Sequence, residues 1–315
     1  MQDKKFQIRY KEISHLIDFE INQLNALLKS FFEDKHENIQ SNQIIPILKD
    51  FLEEKGKRLR STILFLFCKA KNIEINKDIY NIALINEFIH NATLIHDDII
   101  DCAEFRRGKK TLNFDYDSKL AVLAGDYLLC KALNILADIN NNKVQSIHSK
   151  NLLSIIKGEI NQYFNRYKIT SIEEYIEKSK NKTAKLFELG LLSCCYLQNL
   201  SDEEINNVSQ FALNFGIAFQ INNDLKKFSD FEKTNEDIKN GDYSAPIIYY
   251  VLDKYDGDIS KVKNLNKLSK NLENSKEIEK TIELKNKYIK LAIENISFLE
   301  DNQYKRALIE LCNLF

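Results

Sequence analysis

A chain of 315 residues with only 2 prolines and 8 glycines offers few points at which a helix can be broken. A many-stranded fold needs turn signals about every 8–12 residues, and Gly and Pro supply most of them. Apolar residues recur instead at helical spacing. Residues 9–34 carry Ile13, Leu16, Ile17, Phe19, Ile21, Leu24, Leu27, Leu28 and Phe31. In 78–101, Ile79, Ile82, Ala83, Ile85, Phe88, Ile89, Ala92, Leu94, Ile95 and Ile99 make a helix apolar almost all round, the pattern of a helix buried at the centre of a helical protein. The periodicity predicts further helices over 41–54, 59–71, 118–138, 143–165, 171–197, 202–227, 243–254, 260–272, 276–296 and 299–313, with polar loops at 103–117 and 228–242. No stretch alternates as a sheet strand does. The expectation is one all-α domain, residues 1–315, around a central cavity.

A net charge of −1 gives no global field toward nucleic acid or an anionic membrane, so any basic site must be local. The 6 cysteines form no C-x-x-C pair and no zinc spacing, and read as small buried hydrophobes in a reducing compartment. The first residues lack the apolar core of a secretory signal, and no uninterrupted apolar run approaches the ~20 residues of a transmembrane helix. A cytoplasmic protein without a transmembrane segment is expected.

Chemistry concentrates in His96-Asp97-Asp98-Ile99-Ile100-Asp101, followed by Arg106-Arg107-Gly108. Asp97 and Asp101 are four apart and share a helix face, and Asp98 lies about 100° round from Asp97. Three like charges at the end of an apolar helix repel one another and resist burial. A bound cation removes that conflict. Magnesium fits, because it takes a few carboxylates and completes its shell with water and phosphate oxygens. Arginines beside such a cluster suit a diphosphate. A solvated acidic helix end would carry the same aspartates, so the surroundings matter. Gly56-Lys57-Arg58-Leu59-Arg60 places three cations just before an apolar helix. His90 lies one to two turns before the aspartates. Lys182-Thr183-Ala184 and Phe219-Gln220-Ile221-Asn222-Asn223-Asp224 sit on two other helices. Gly56, Gly108, Gly158, Gly216 and Gly241 each stand beside one of these candidates.

In order and wording these motifs resemble the trans-prenyl diphosphate synthases, the polyprenyl synthetase family. The run is Gly-Lys-x-x-Arg, a first Asp-Asp-x-x-Asp with Arg-Arg-Gly, then Gly125-Asp126, Gly158-Glu159 with Gln162, Lys182-Thr183, and Phe-Gln-Ile before a second aspartate-rich motif, spread over about residues 56–246. The resemblance implies an isoprenoid-synthase-type helical bundle, a magnesium cofactor and a homodimer. It also implies a reaction: an allylic diphosphate ionises, and the double bond of isopentenyl diphosphate attacks the carbocation. Asp97, Asp101 and Arg106 would hold the allylic diphosphate and its metals, with Asp98 in support and Asp224 as a further ligand. Lys57, Arg60, His90 and Arg107 would hold isopentenyl diphosphate. Lys182 would reach the allylic diphosphate, and Thr183 and Gln220 would turn oxygen dipoles to the cation.

The second aspartate-rich motif departs from the family's pattern. The chain has Asn223-Asp224-Leu225-Lys226-Lys227, so only the middle carboxylate survives. The loop after it is shorter than usual; Lys233 and Asp237 are counterparts of the family's lysine and aspartate there, and Asp242 stands where a phosphate-binding lysine is common. One Asp→Asn, one Asp→Lys and one Lys→Asp change sum to one extra positive charge, so an ammonium from Lys226 or Lys227 is a candidate replacement for one ion of the usual three-magnesium cluster. A terpene synthase-like enzyme or a prenyltransferase with another acceptor would share the ionisation step, and a non-catalytic partner subunit is a third reading. The retained Lys57, Arg60, His90 and Arg107 favour isopentenyl diphosphate as acceptor. Ala92 and Thr93, both small, stand one turn before the first aspartates, where bulky residues stop chain growth in the family, and imply a product longer than farnesyl.

Overall fold

The computed structural model describes residues 2–30, 43–53, 56–106, 108–228, 231–262, 268, 272 and 275–315. Contacts divide the chain into two compact units. The first comprises Met1–Gln145, Ser193–Asn199 and Asp301–Leu308; the second comprises Ser146–Leu192, Leu200–Glu300 and Ile309–Phe315. Helices dominate both.

The first unit holds α1 (Gln2–His15), α2 (Asp18–Ser30), α3 (Ile44–Glu53), α4 (Leu59–Ala70), α5 (Lys77–Ile100), a one-turn α6 (Leu112–Asp115) and α7 (Ser118–Asp138). Its axis is α5, 24 residues or about 36 Å long. Asn76 caps its start, its side-chain oxygen accepting from the backbone N–H of Asp78 and Ile79. It stops at Asp101, after which Cys102 takes a left-handed backbone. Most of the expected apolar residues of α5 are buried, with Ile79, Ile82, Ala83, Ile85 and Phe88 fully enclosed, whereas Leu94 and Ile99 near its end are only partly buried. Of the polar residues buried among them, Asn86 leaves its side-chain oxygen without a hydrogen-bond partner, whereas Asn91 and Glu87 are engaged. Asn91 donates to the Glu87 carbonyl, and the Glu87 carboxylate takes Arg58 Nη1 at 2.7 Å and Ser61 Oγ at 2.8 Å.

Helix α5 packs chiefly on α7, which presents Ala121, Ala124, Gly125 and Ala132, small residues at helical spacing, together with Leu128. At Gly125 the approach is close, since a Cβ there would collide with the His96 ring. By length and apolar composition α7 qualifies to cross a membrane, which the search for uninterrupted apolar runs missed. Its inner stripe is packed against α5, while Val122, Leu123 and Leu133 on the other side are exposed.

The second unit holds α8 (Asn142–Phe164, from Ser146 on), α9 (Ile172–Ser179), a π-turn (Lys180–Ala184), most of α10 (Lys185–Leu197), α11 (Asp202–Phe228), α12 (Phe231–Lys239), α13 (Ala245–Tyr255) and α14 (Lys276–Asn295). The last helix, α15 (Gln303–Asn313), is divided between the units. Reciprocal Ser/Glu hydrogen bonds cap α9 (Ser171 with Glu174) and α11 (Ser201 with Glu204). Helix α11 packs on α14 and on the π-turn. Phe187, Phe211, Phe215, Phe219 and Phe315 make a continuous ring cluster along it, with centroid separations of 5.2–6.1 Å. Gly216 lets the π-turn lie directly on α11, because any Cβ there would strike the Ala184 backbone.

Several expected boundaries shift. The helix over 9–34 is two helices, broken by successive tight turns at Leu16 and Ile17 where Asp18 pairs with His15; residues 31–34 lie outside the described residues. The loop 103–117 holds a two-stranded ribbon, Phe105–Arg106 against Lys109–Lys110, turned at Gly108 with φ 82°. The loop 228–242 contains α12, the helix over 171–197 is interrupted by the π-turn, and the last helix begins at Gln303 because Asn302 caps it. Most of the helix expected over 260–272 lies outside the described residues. All six cysteines are free, but Cys102 and Cys130 are exposed and only the other four are the buried hydrophobes expected.

Replacing Gly216 by Val should overpack the seam between α11 and the π-turn and cost about 1–3 kcal/mol. Equilibrium denaturation measures it, and an unchanged midpoint would refute the close packing.

Candidate active site

In the first unit the three aspartates end α5 in three different environments. Asp98 is 2% exposed and Asp97 half-buried, whereas Asp101 is exposed. A buried carboxylate needs a partner, and Asp98 has one: Arg106 Nε lies 2.8 and 2.9 Å from its two oxygens, and Nη2 lies 2.6 Å from Oδ1. The ribbon sets this geometry. Its base is tied by Thr111 Oγ1 and Asn113 Nδ2 donating to the Ala103 carbonyl. Burial alone would lower the Arg106 pKa, but Asp98, Asp97 and Asp101 outweigh it and hold the proton more tightly than usual. The structure therefore sets the Arg106 fork on Asp98, and Asp97 and Asp101 are the carboxylates that reach solvent. Arg107 lies outside the described residues.

The Gly-Lys-x-x-Arg element is the entry to α4. Arg58 takes a left-handed backbone (φ 46°) and anchors the turn through Glu87 and through the Leu52 carbonyl at 2.8 Å. Lys57 is exposed, its ammonium 3.8 Å from the centre of the Phe6 ring. Arg60 is half-buried one residue into the helix. Tyr10, whose pKa burial pushes up to about 12, donates to the Lys57 carbonyl. Two cations at a helix N-terminus, where unpaired N–H groups converge, make a place suited to an anion. On α5, His90 is half-buried and its carbonyl accepts the Thr93 hydroxyl at 2.8 Å; Ala92 is buried. The role of Arg58 and the Glu87–Ser61 pairing escaped the sequence reading, although Arg58 sits inside the motif. The Asp126–His96 pair at 3.4 Å was equally silent.

In the second unit the π-turn aims Lys182 and Thr183. Lys182 pairs with Glu159 at 3.0 Å. Thr183 Oγ1 donates to Gln220 Oε1 (2.8 Å), Gln220 Nε2 donates to Asp224 Oδ1 (2.8 Å), and Tyr175 donates to Asp224 Oδ2 (2.6 Å). Asp242 takes Lys178 on one oxygen (2.8 Å) and Gln162 on the other (3.3 Å), and Lys227 pairs with Asp237 at 3.3 Å. Burial pushes the Asp224 pKa up against the pull of Tyr175, Lys178 and Lys227. Burial likewise raises Asp237, to about 6, despite Lys227. At Asp242 burial also pushes upward, but Lys178, Lys182 and Lys227 outweigh it and the carboxylate lies below its usual range. Asn223 is half-buried and Lys226 exposed; the Lys233 side chain lies outside the described residues. Sequence reading missed Tyr175 and Lys178, which lie outside every motif. Their only signal is a capped helix leading into Lys182-Thr183.

Among the described residues no three His, Cys, Asp or Glu side chains already converge as a metal cage. The α5 end fits a divalent ion of another kind, one held by two carboxylates of a single helix face and completed by water and phosphate oxygens.

These motifs on long helices define a diphosphate-handling, all-α enzyme. The polyprenyl synthetase family model matches residues 41–285. A prenyl transferase of Cyanidium caldarium is 32% identical over 274 residues, 80% of this chain and 82% of that one. A decaprenyl-diphosphate synthase of Dictyostelium discoideum is 32% identical over 272 residues, 81% of this chain and 58% of that one. The crystal structure of a decaprenyl diphosphate synthase from Rhodobacter capsulatus superposes with a TM-score of 0.85 at 23% identity, covering 96% of this chain and 97% of the other. The chain belongs to the polyprenyl synthetase family and is a prenyltransferase.

Asp237 keeps its proton up to about pH 6 when folded, whereas an unfolded aspartate releases it near its ordinary pKa of about 3.9. Between those values folding takes up a proton, so this group's stabilising contribution is lost as pH rises. Thermal melts should show wild type losing stability relative to Asp237→Asn from pH 4 to 7. A constant difference would refute the shift.

Proposed function

We propose that this chain condenses an allylic diphosphate with isopentenyl diphosphate and extends the product beyond farnesyl. The observation that carries the reading is the α5 end. Arg106 neutralises the buried Asp98, and Asp97 and Asp101 remain at the solvent boundary, four residues apart on one helix face. Family members use a divalent metal. Here magnesium would be held by Asp97 and Asp101 and would supply positive charge to the departing diphosphate. Asp98 and Arg106 fix the end of α5 so that the two ligands do not move. Lys57, Arg60 and His90, with Arg107, hold isopentenyl diphosphate, the first two at the N-terminus of α4. Lys182, held by Glu159, offers its ammonium to the allylic diphosphate, and Lys233 assists. Thr183 and Gln220, fixed by their mutual hydrogen bond, present oxygen dipoles to the allylic cation. The released diphosphate takes the final proton, so no side-chain base is required. Residues 1–315 act as one catalytic domain on this reading.

The test is magnesium-dependent diphosphate release with isopentenyl diphosphate and a panel of allylic primers, followed by product chromatography. Products longer than farnesyl are expected. A hydrocarbon or alcohol from allylic diphosphate alone would replace this reading with a terpene synthase-like one. In the same assay Ala92→Phe should shorten the product, because Ala92 and Thr93 border the path of the growing chain; an unchanged product refutes that placement.

A homodimer belongs to the same proposal. On α8, Leu153, Ile156, Ile160, Tyr163 and Phe164 are each about half exposed or more, and α7 exposes Val122, Leu123 and Leu133. Apolar faces of this extent on a globular enzyme suit a second copy of the chain. Sedimentation should show a dimer in the wild type and a monomer after Ile156→Asp with Ile160→Asp. A wild-type monomer would end the dimer proposal. The free thiols support a reducing, cytoplasmic setting.

A further inference from the structure

Resting on the synthase reading above, we propose that Lys227 and Lys178 are the built-in cations of the Asp224–Asp237–Asp242 cluster, which takes no divalent ion of its own. The divalent ions that accompany substrate are held at the end of α5.

The carboxylate oxygens carry the argument. Both oxygens of Asp224 accept hydrogen bonds, one from Gln220 and one from Tyr175. Both oxygens of Asp242 are engaged, one by Lys178 and one by Gln162. One oxygen of Asp237 takes Lys227. Five of the six oxygens therefore already receive a donor supplied by the chain. Magnesium binds oxygen at about 2.0–2.1 Å in near-octahedral geometry and tolerates little distortion. To enter, it would have to share oxygens that already accept from Tyr175, Gln220, Lys178 and Gln162, with the Lys227 ammonium held beside Asp237.

Lys227 stands three residues after Asp224 on α11, within one turn, so the helix presents both on the same side. Its ammonium feels Asp237, Asp224 and Asp242 together, and these more than offset the burial that would otherwise weaken its hold on the proton. The ammonium paired with Asp237 thus sets a positive charge on α11 beside the other two carboxylates, which is part of the electrostatic work an ion would do there. Asp224 consequently acts as a positioning residue rather than a metal ligand. By taking the Gln220 amide it turns Gln220 Oε1 toward Thr183.

The proposal is tested by counting ions. The enzyme is saturated with a non-ionising thiolo analogue of an allylic diphosphate, and bound Mn2+ is measured by electron paramagnetic resonance. Asp224→Asn, which keeps shape and removes charge, should bind as many ions as wild type. Lys227→Asp, which returns a carboxylate to that turn, should bind one more. One ion fewer in Asp224→Asn, or no gain in Lys227→Asp, overturns the proposal. Diphosphate release by the same wild-type preparation with isopentenyl diphosphate reads the underlying activity separately. Activity with the wrong ion counts defeats only the built-in cations, whereas no product with any primer defeats the synthase reading.

Discussion

The constraint that organises the first unit is electrostatic. Helix α5 is buried along most of its length and ends in three carboxylates, which cannot all be buried as anions. Arg106 resolves the conflict by taking Asp98 in a two-point fork, and the ribbon that carries Arg106 is tied back to the Ala103 carbonyl. Asp98 can then sit at 2% exposure while its neighbours one and three positions away reach the surface. Removing one partner of such a buried pair costs about 3–5 kcal/mol, because the other charge is stranded. The same logic recurs at Glu87, where Arg58 and Ser61 hold a buried carboxylate and at the same time fix the turn that carries Lys57 and Arg60.

The second unit meets a similar crowd of carboxylates by a different route. Asp224, Asp237 and Asp242 are met by a phenol, two amides and two ammoniums rather than by an arginine fork. The chain of donors has a direction. Tyr175 and Gln220 donate to Asp224, so the amide carbonyl of Gln220 is the end that faces Thr183. The π-turn matters because it brings Thr183 against α11, and the bare backbone of Gly216 permits the approach.

The long helices were legible in the sequence because apolar periodicity and caps agree: α5, α7 and α11 begin and end within a residue or two of expectation. The first aspartate motif was legible because its spacing survives on any helix. Less visible were features set by contacts between distant segments. Nothing local in Tyr175 or Lys178 announces Asp224 or Asp242, which lie 49 and 64 residues further on. Helix α12 was hidden because its short, charged sequence reads as a loop until Ile238 and Thr234 are seen to be buried. The pairing of Arg106 with Asp98 was not legible in one dimension, because it requires the ribbon, and the ribbon turns at the left-handed Gly108.

The two units, on the reading proposed here, differ in whether their positive charge can leave. A leaving diphosphate has to bind, depart and be released as product, and charge supplied by a divalent ion can depart with it. Lysine ammoniums cannot. They suit a cluster whose task is to hold Gln220 and Thr183 in one orientation through every turnover, where exchange of an ion would release the dipoles along with it. A chain that exchanges aspartates for asparagine and lysine in its second motif therefore need not have lost the function of that motif. The neutralising charge remains, covalently attached to α11, and the cost falls on adaptability: an ion can shift between a substrate and a product of different charge, whereas Lys227 is confined to the reach of its own side chain.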